Sequence, residues 1–279
     1  MIQLQSVKPS AELRREVIAL GNAACLNVRN HFSVYLTRAE RVPRIAALLD
    51  RTASFPTPLH APEPAPDAAW LLFAWDHSAD RPAAGYRLRL GREVLERCGC
   101  AGFAVNRCFA VENFAADLLE RSVELGAYQT AHGYERAAEP ATLLCQSLVY
   151  LLKRHTEFEL LFTTAKLCDH SSTPLRSTLV RFLRRSFHAP QYAGYFPARF
   201  PYGEDESLDI DHLAPNDFEG LEQLLTSATD RLVRLPHLLR QYLRFGARFA
   251  GFNLDRLGDY TLDGLLVLDR AQFATANAR

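Results

Sequence analysis

Apolar positions follow a helical period near the N-terminus, change to strand-like alternation in the middle of the chain, and return to helical spacing before a last apolar run. Ala11–Gly21 and Glu40–Arg51 have 3.6-residue spacing, the second with Val42, Ile45, Ala46, Leu48 and Leu49 on or near one face. Between them, LNVRNHFSVYLT fits a strand or a helix. Trp70–Trp75 and Ala84–Leu90, separated by the turn DHSADRP, predict an antiparallel hairpin, and Leu118–Thr130 predicts a third strand. A helix is expected from Pro140 to about Arg154, followed by a strand over Glu157–Leu167 whose run LLFTTAKL suits burial on both faces. Thr173–Phe187 reads as a helix and residues 190–220 as irregular. Leu221–Leu235 predicts a helix, Pro236 suits the first turn of another reaching about Ala250, Gly251 ends that one, and Tyr260–Leu268 closes as an apolar strand. This order belongs to an α+β or mixed α/β fold.

The pattern breaks once. Residues 52–67 carry five prolines (Pro56, Pro58, Pro62, Pro64 and Pro66) and cannot continue a helix or a central strand. We therefore expect one domain over residues 1–279, with an N-terminal helical region (1–51), a Pro-rich loop (52–67) and a core (69–269). A chain of 279 residues, 48% hydrophobic, is long enough to bury a large core. Its 32 basic and 32 acidic residues cancel, so no overall field draws it to nucleic acid or anionic lipid. Only Lys8, Lys153 and Lys166 are lysines, and arginine dominance suits bidentate contacts to carboxylate or phosphate. The six irregularly spaced cysteines read as free thiols, and Cys98-Gly-Cys100 lacks the second pair that a zinc site needs, so no metal is expected. The N-terminal residues lack a signal-peptide apolar core, and no run approaches the roughly 18 apolar residues of a membrane span. The chain reads as cytoplasmic, with peripheral contact to the inner membrane left open.

Among residues that carry chemistry, Glu124 stands out. If Leu119–Gly126 is a strand, Glu120, Ser122, Glu124 and Gly126 share one face, unusually polar for an apolar sheet. Glu120 and Glu124 would lie roughly 13 Å apart at strand rise, too far for a dyad, so one carboxylate must act alone. Partly buried, it can take a proton from an amine; paired with an arginine, it merely closes a strand end. Asp76-His77-Ser78 and Cys168-Asp169-His170-Ser171 follow apolar strands and read as strand-end turns. Cys145 belongs to the apolar face of its helix, and His132 lies near the loop before it. Tyr192, Tyr195, Phe196, Phe200 and Tyr202 either line an acyl tunnel or pack an irregular loop.

The segment from Ala69 through AGYRLRL to RSVELG resembles the core of the ornithine-lipid-synthase family, acyl-carrier-protein-dependent N-acyltransferases of the GNAT superfamily related to acyl-homoserine-lactone and N-acyl amino acid synthases. PHLLRQYLRFGAR followed by an apolar strand ending in Leu-Asp resembles the family's C-terminal helix and strand. The resemblance runs from about Ala69 to Asp269, except across 170–220. It implies a GNAT-like mixed, mostly antiparallel sheet flanked by helices and splayed beside the Glu124 strand, where the donor's pantetheine arm lies. It also implies Glu124 as the catalytic residue, Arg87, Glu120 and Ser122 as acceptor-binding, and Gly126, Arg136 and Ala141 as donor-binding.

Two positions depart from that family. Ala127 stands where its E-L-G-R motif has arginine, and Glu139 precedes Pro140 where a phosphate would meet a helix N-terminus. The donor implied is therefore the acyl-phosphopantetheine of acyl carrier protein rather than coenzyme A, and the acceptor is an amino acid or similar amine. No tightly bound cofactor is implied. Arg240, Arg244 and Arg248, spaced as one helix face, would dock the acidic carrier; Arg176, Arg181, Arg184 and Arg185 crowd another helix. A degenerate, non-catalytic acyl- or protein-binding module and an acyl-homoserine-lactone-type synthase are the alternatives.

Overall fold

The undecided stretch LNVRNHFSVYLT folds as a β-hairpin turning at Asn30, whose φ of 53° is a left-handed conformation that asparagine tolerates. In the computed structural model, residues 11–51, 69–135, 137–168, 172–203, 207–229, 232–255 and 260–272 are described. Their elements, in chain order, are α1 (Ala11–Leu20), β1 (Cys25–Arg29), β2 (Phe32–Arg38), α2 (Pro43–Arg51), β3 (Trp70–Asp76), β4 (Arg81–Leu90), α3 (Gly91–Cys98), α4 (Ala116–Glu120), β5 (Ser122–Thr130), α5 (Ala138–Arg154), β6 (Leu160–Cys168), α6 (Thr173–Phe187), α7 (Phe218–Thr229), α8 (His237–Arg244), β7 (Arg248–Leu254) and β8 (Leu262–Asp269). The Pro-rich loop lies outside the described residues. The chain divides into two units, Met1–Leu90 with Leu125–Arg154 and Gly91–Glu124 with His155–Arg279. The fold is mixed α/β with a mostly antiparallel sheet, as expected.

In the first unit the strand order is β1-β2-β3-β4-β5, with β1 to β4 antiparallel. Because β1 pairs with β2 and β2 along its length with β3, Cys25–Arg38 belongs to the sheet, between α1 and α2. One sheet face buries Tyr35, Leu71, Phe73 and Trp75 under α1 and α2. The Glu16 carboxylate on α1 accepts from the backbone N–H groups of Arg44 and Ile45 (both 3.1 Å), satisfying donors that the first turn of α2 leaves unpaired. Gly85 lets α2 lie close to β4: a Cβ there would sit 2.9 Å from both Leu49 Cδ1 and the Leu72 carbonyl oxygen. Helix α5 packs on β1, β2, β3 and β4. The β3–β4 turn is tighter than expected because Asp76 Oδ1 accepts from Ser78 N (2.7 Å), Ser78 Oγ (2.6 Å) and Ala79 N (3.0 Å). Asp76-His77-Ser78 is thus a strand-end turn; its counterpart at 168–171 lies largely outside the described residues.

In the second unit the order is β5-β6-β8-β7. Strand β5 pairs parallel with β6 through Ser122↔Leu160, Val123↔Leu161 and Glu124↔Phe162, while β6, β8 and β7 are antiparallel. One core cluster joins Phe162, Leu265 and Val267 of this sheet to Phe103, Phe109 and Phe196 from the irregular segments. Helix α6 spans the expected residues, but α7 ends at Thr229 and α8 at Arg244, both earlier than periodicity suggested.

Gly246 explains where α8 stops. Its φ is 94°, and Ala247 N–H bonds the Tyr242 carbonyl (2.9 Å) while Gly246 N–H bonds that of Leu243 (3.2 Å), the paired closure of a Schellman cap. The chain then enters β7 directly, so Gly251 is a strand residue and not the helix terminator. Among the described residues, no helix is long and apolar enough to cross a membrane. Replacing Gly246 by alanine should destabilise the protein by about 1 kcal/mol, because a Cβ is disfavoured at that φ. Thermal unfolding of Gly246→Ala checks this, and an unchanged melting temperature contradicts the cap.

Candidate active site

The expected strand over Leu118–Thr130 is in fact a short helix followed by a strand, and the difference redistributes the candidate acids. Leu119 and Glu120 close α4, and β5 begins at Ser122. Glu120 therefore does not share a strand face with Glu124; it is exposed, 3.7 Å from Arg92 Nε. Ser122 keeps its place on β5, but its hydroxyl donates to the Leu119 carbonyl at 2.8 Å, closing the helix-to-strand turn. Gly91 is required beside it, since a Cβ there would fall 1.7 Å from the same carbonyl oxygen.

Glu124 is only 2% exposed, although it is an acid inside an aromatic cluster. Its register neighbour Phe162 lies with its ring centroid 5.9 Å from Phe103 and 5.4 Å from Phe196. Burying a carboxylate there is costly unless hydrogen bonds replace its water. They come from a four-residue 3-10 helix, Ala104–Arg107, entered from extended Phe103. Val105 N–H donates to Glu124 Oε1 at 2.7 Å and Ala104 N–H to Oε2 at 3.2 Å. Both carboxylate oxygens are thus held by backbone donors that a helix start leaves unsatisfied.

The same 3-10 segment meets a second buried acid that sequence reading did not single out. Cys108 Sγ donates to Asp263 Oδ2 at 3.2 Å, and the two residues are 4% and 5% exposed. Burial pushes the Asp263 carboxyl above its ordinary range, Asp255 adds to this, and Cys108, Arg107 and Lys166 oppose it. Burial and Asp263 push the Cys108 thiol up to about 12. The available signal was an acid interrupting the apolar run LDGLLVL of β8.

Other candidates are committed elsewhere. In the first unit Arg87 forms a two-point ion pair with Asp50 (Nε–Oδ1 3.0 Å, Nη2–Oδ2 2.6 Å), and Gln129 Nε2 donates to the same carboxylate at 3.1 Å. A Cβ on Gly126 would lie 3.2 Å from the Arg87 carbonyl oxygen, so this glycine serves close strand packing. Ala141 is buried in α5, and Arg136 lies outside the described residues. Helix α5 begins at Ala138, which places Glu139 in its first turn rather than at the cap; Asn30 Nδ2 donates to it at 2.5 Å. His132 is exposed, 3.3 Å from Glu135, and Cys145 is buried in the helix core.

The expected arginine row on one helix does not exist. Arg248 opens β7 with its guanidinium over the Phe187 ring, Arg240 is ion-paired with Glu222, and of the three arginines Arg244 alone is an exposed residue of α8. On α6, Arg181 bonds Asp211 (3.1 Å), Arg184 the Tyr202 carbonyl (3.3 Å), and Arg185 those of Ile210 (2.8 Å) and Leu213 (2.9 Å), so this row holds the irregular segment. That segment's aromatics pack: Phe196 is core, Tyr192 Oη donates to Asp269 at 2.6 Å, and Tyr202 Oη lies 2.9 Å from Ser177 Oγ.

No protein-family model and no curated protein matches the sequence. Among solved structures, the chain is similar to the loading GNATL domain of CurA from Lyngbya majuscula, with 11% identity, a TM-score of 0.43, and coverage of 87% of this chain and 99% of that one. It is also similar to a ribosomal-protein-S5-alanine acetyltransferase from Vibrio fischeri, with 8% identity, a TM-score of 0.39, and 88% and 96% coverage. A GNAT-like decarboxylase, GphF, in complex with isobutyryl-CoA is similar at 13% identity and a TM-score of 0.40, with 85% and 98% coverage.

The buried acids predict opposite responses to pH. Burial raises the Asp76 carboxyl, but hydrogen bonds from Ser78, Tyr134 and the Ala79 amide outweigh it and hold it below its ordinary value. Its contribution is present above the unfolded pKa of about 4 and is lost as pH falls through the lower folded value. Asp263 is raised, so its contribution is complete below about pH 4 and is lost as pH rises through the raised value. Melting temperatures across pH should therefore show Asp76→Asn weakening the acid-side fall, and Asp263→Asn gaining on the parent as pH rises.

Proposed function

We propose that this chain is a GNAT-type N-acyltransferase in which an amine attacks the carbonyl carbon of an acyl thioester, with Glu124 as the carboxylate that orients the amine or takes its proton. The nitrogen–carbon bond forms, the carbon–sulfur bond breaks, the thiol leaves, and one amine proton passes to Glu124 or to the departing sulfur. The observation that carries the reading is the setting of Glu124: an acid 2% exposed, on the parallel β5/β6 pair, with both oxygens fixed by backbone amides. An acceptor fixed in advance needs no reorganisation when the amine presents its N–H. The resemblance over Ala69–Asp269 supplies the reaction class.

The donor favoured by this reading is acyl carrier protein bearing a fatty or 3-hydroxy fatty acyl chain. Glu139 adds a negative charge to the first turn of α5, which disfavours a pyrophosphate at that helix N-terminus more than a single phosphodiester. The acceptor in this reading is an amino acid or related amine, the class that the resemblance implies. A second reading, an acyl- or protein-binding module without turnover, is favoured by those same pairings, since Glu124 and Arg87 already have intramolecular partners.

Mass spectrometry decides between them. Purified protein incubated with 3-hydroxyacyl-carrier protein and a panel of amino acids should yield an N-acyl product, and Glu124→Gln should lower its rate by about 10²- to 10⁴-fold. Full activity in a folded Glu124→Gln protein removes Glu124 from the mechanism, and absence of any product from the parent favours the binding module.

A further inference from the structure

The 3-10 segment that holds Glu124 is itself held from its other end. Val105, whose N–H donates to Glu124 Oε1, offers its carbonyl to two further amides: Cys108 N–H at 3.0 Å and Phe109 N–H at 2.8 Å. Cys108 then donates its thiol to Asp263 Oδ2. Three successive hydrogen bonds therefore run from one buried carboxylate on β5 to another on β8: Glu124 to Val105, Val105 to Cys108, and Cys108 to Asp263. A 3-10 helix advances only about 2 Å per residue and closes its bonds after three, so these residues move as a short stiff unit.

The rest of the segment is tied down independently. Asn106 Nδ2 donates to the Cys100 carbonyl at 2.5 Å, and its Oδ1 accepts from Val111 N–H at 2.9 Å. Arg199 donates its Nε–H to the Asn106 carbonyl and its backbone N–H, at 2.9 Å, to that of Cys108. These contacts keep the strap against the sheet. At its two ends the 3-10 turn meets buried acids: the Ala104 and Val105 amides face Glu124, and Cys108, just past Arg107, faces Asp263.

We propose that Asp263 is a positioning residue for Glu124, acting through Cys108 and the Ala104–Arg107 turn. The chemistry is specific to a donor at position 108. A thiol or hydroxyl there ties the turn to Asp263, and a methyl group lets it rotate and withdraw the two amides from Glu124. This inference rests on Glu124 as the carboxylate of the site, but its first readout needs no catalysis.

Amide hydrogen exchange of the full-length protein tests it. Cys108→Ala and Asp263→Ala should each raise exchange at Ala104 and Val105 by ~10-fold or more, while amides of β3 and β4 stay protected. Cys108→Ser should keep the parent's protection. Unchanged exchange at Ala104 and Val105 in both Cys108→Ala and Asp263→Ala overturns the proposal, and so does equal loss in Cys108→Ser and Cys108→Ala. If Asp263→Ala does not fold, the alanine and serine variants at 108 decide alone. In the acyl-transfer assay, Cys108→Ala should lower kcat with little change in KM for the thioester, and Cys108→Ser should restore it. A parent protein with no turnover but with the predicted exchange pattern removes the acyltransferase reading and leaves the coupling standing.

Discussion

A buried carboxylate without water needs donors, and the first turn of a short helix has backbone donors without acceptors; at Glu124 the two deficits cancel. Left unmade, each bond would cost on the order of 1–3 kcal/mol. Together they dock the residues after Phe103 onto the sheet, and with them the aromatic contacts of Phe103 to Phe162 and of Phe162 to Phe196. The core of the second unit is therefore an apolar cluster organised around one acid. Leucine in that position would fill the space but leave the Ala104 and Val105 amides without this partner.

Arginine has a similar organising use. In a chain with balanced charge, several guanidinium groups are spent internally: Arg87 on Asp50, Arg240 on Glu222, and Arg181, Arg184 and Arg185 on the segment that follows α6. A planar fork with five donors can satisfy carbonyls that irregular backbone leaves unpaired, which lysine cannot do as well. Between α6 and α7 the described residues, apart from a 3-10 turn at Pro190–Tyr192, are held in this way without helix or strand. The consequence is that arginine spacing along a helix is poor evidence for a docking surface in this molecule.

What the candidate site can do chemically follows from its dryness. In the proposed reading, a fixed carboxylate in aromatic surroundings handles one N–H at a time. Acyl transfer to an amine makes that modest demand, because the thioester supplies its own leaving group.

Much of the architecture was legible along the chain. The hairpin β3–β4, α5, the apolar strand β6 and all of α6 follow from period, length and breaker residues, because burial on one face imprints the period of the element. Glu124 was legible too, as a charge inside an apolar pattern. Other features depended on contacts between distant residues. The β1–β2 hairpin needed β3 as a partner, and α8 stopped at Gly246 because its capping bonds formed there, where periodicity alone continued to Ala250. Glu120 left the expected strand face because it closes α4, while Ser122 stays on β5 and its hydroxyl closes the turn between them. Sequence by itself determined which residues are apolar, where the chain can turn, and that an acid lies within an apolar strand pattern. Which donors meet that acid was decided only by the tertiary structure, since hydrogen bonds between Glu124 and Val105, or Cys108 and Asp263, join residues 19 and 155 positions apart and leave no periodic trace.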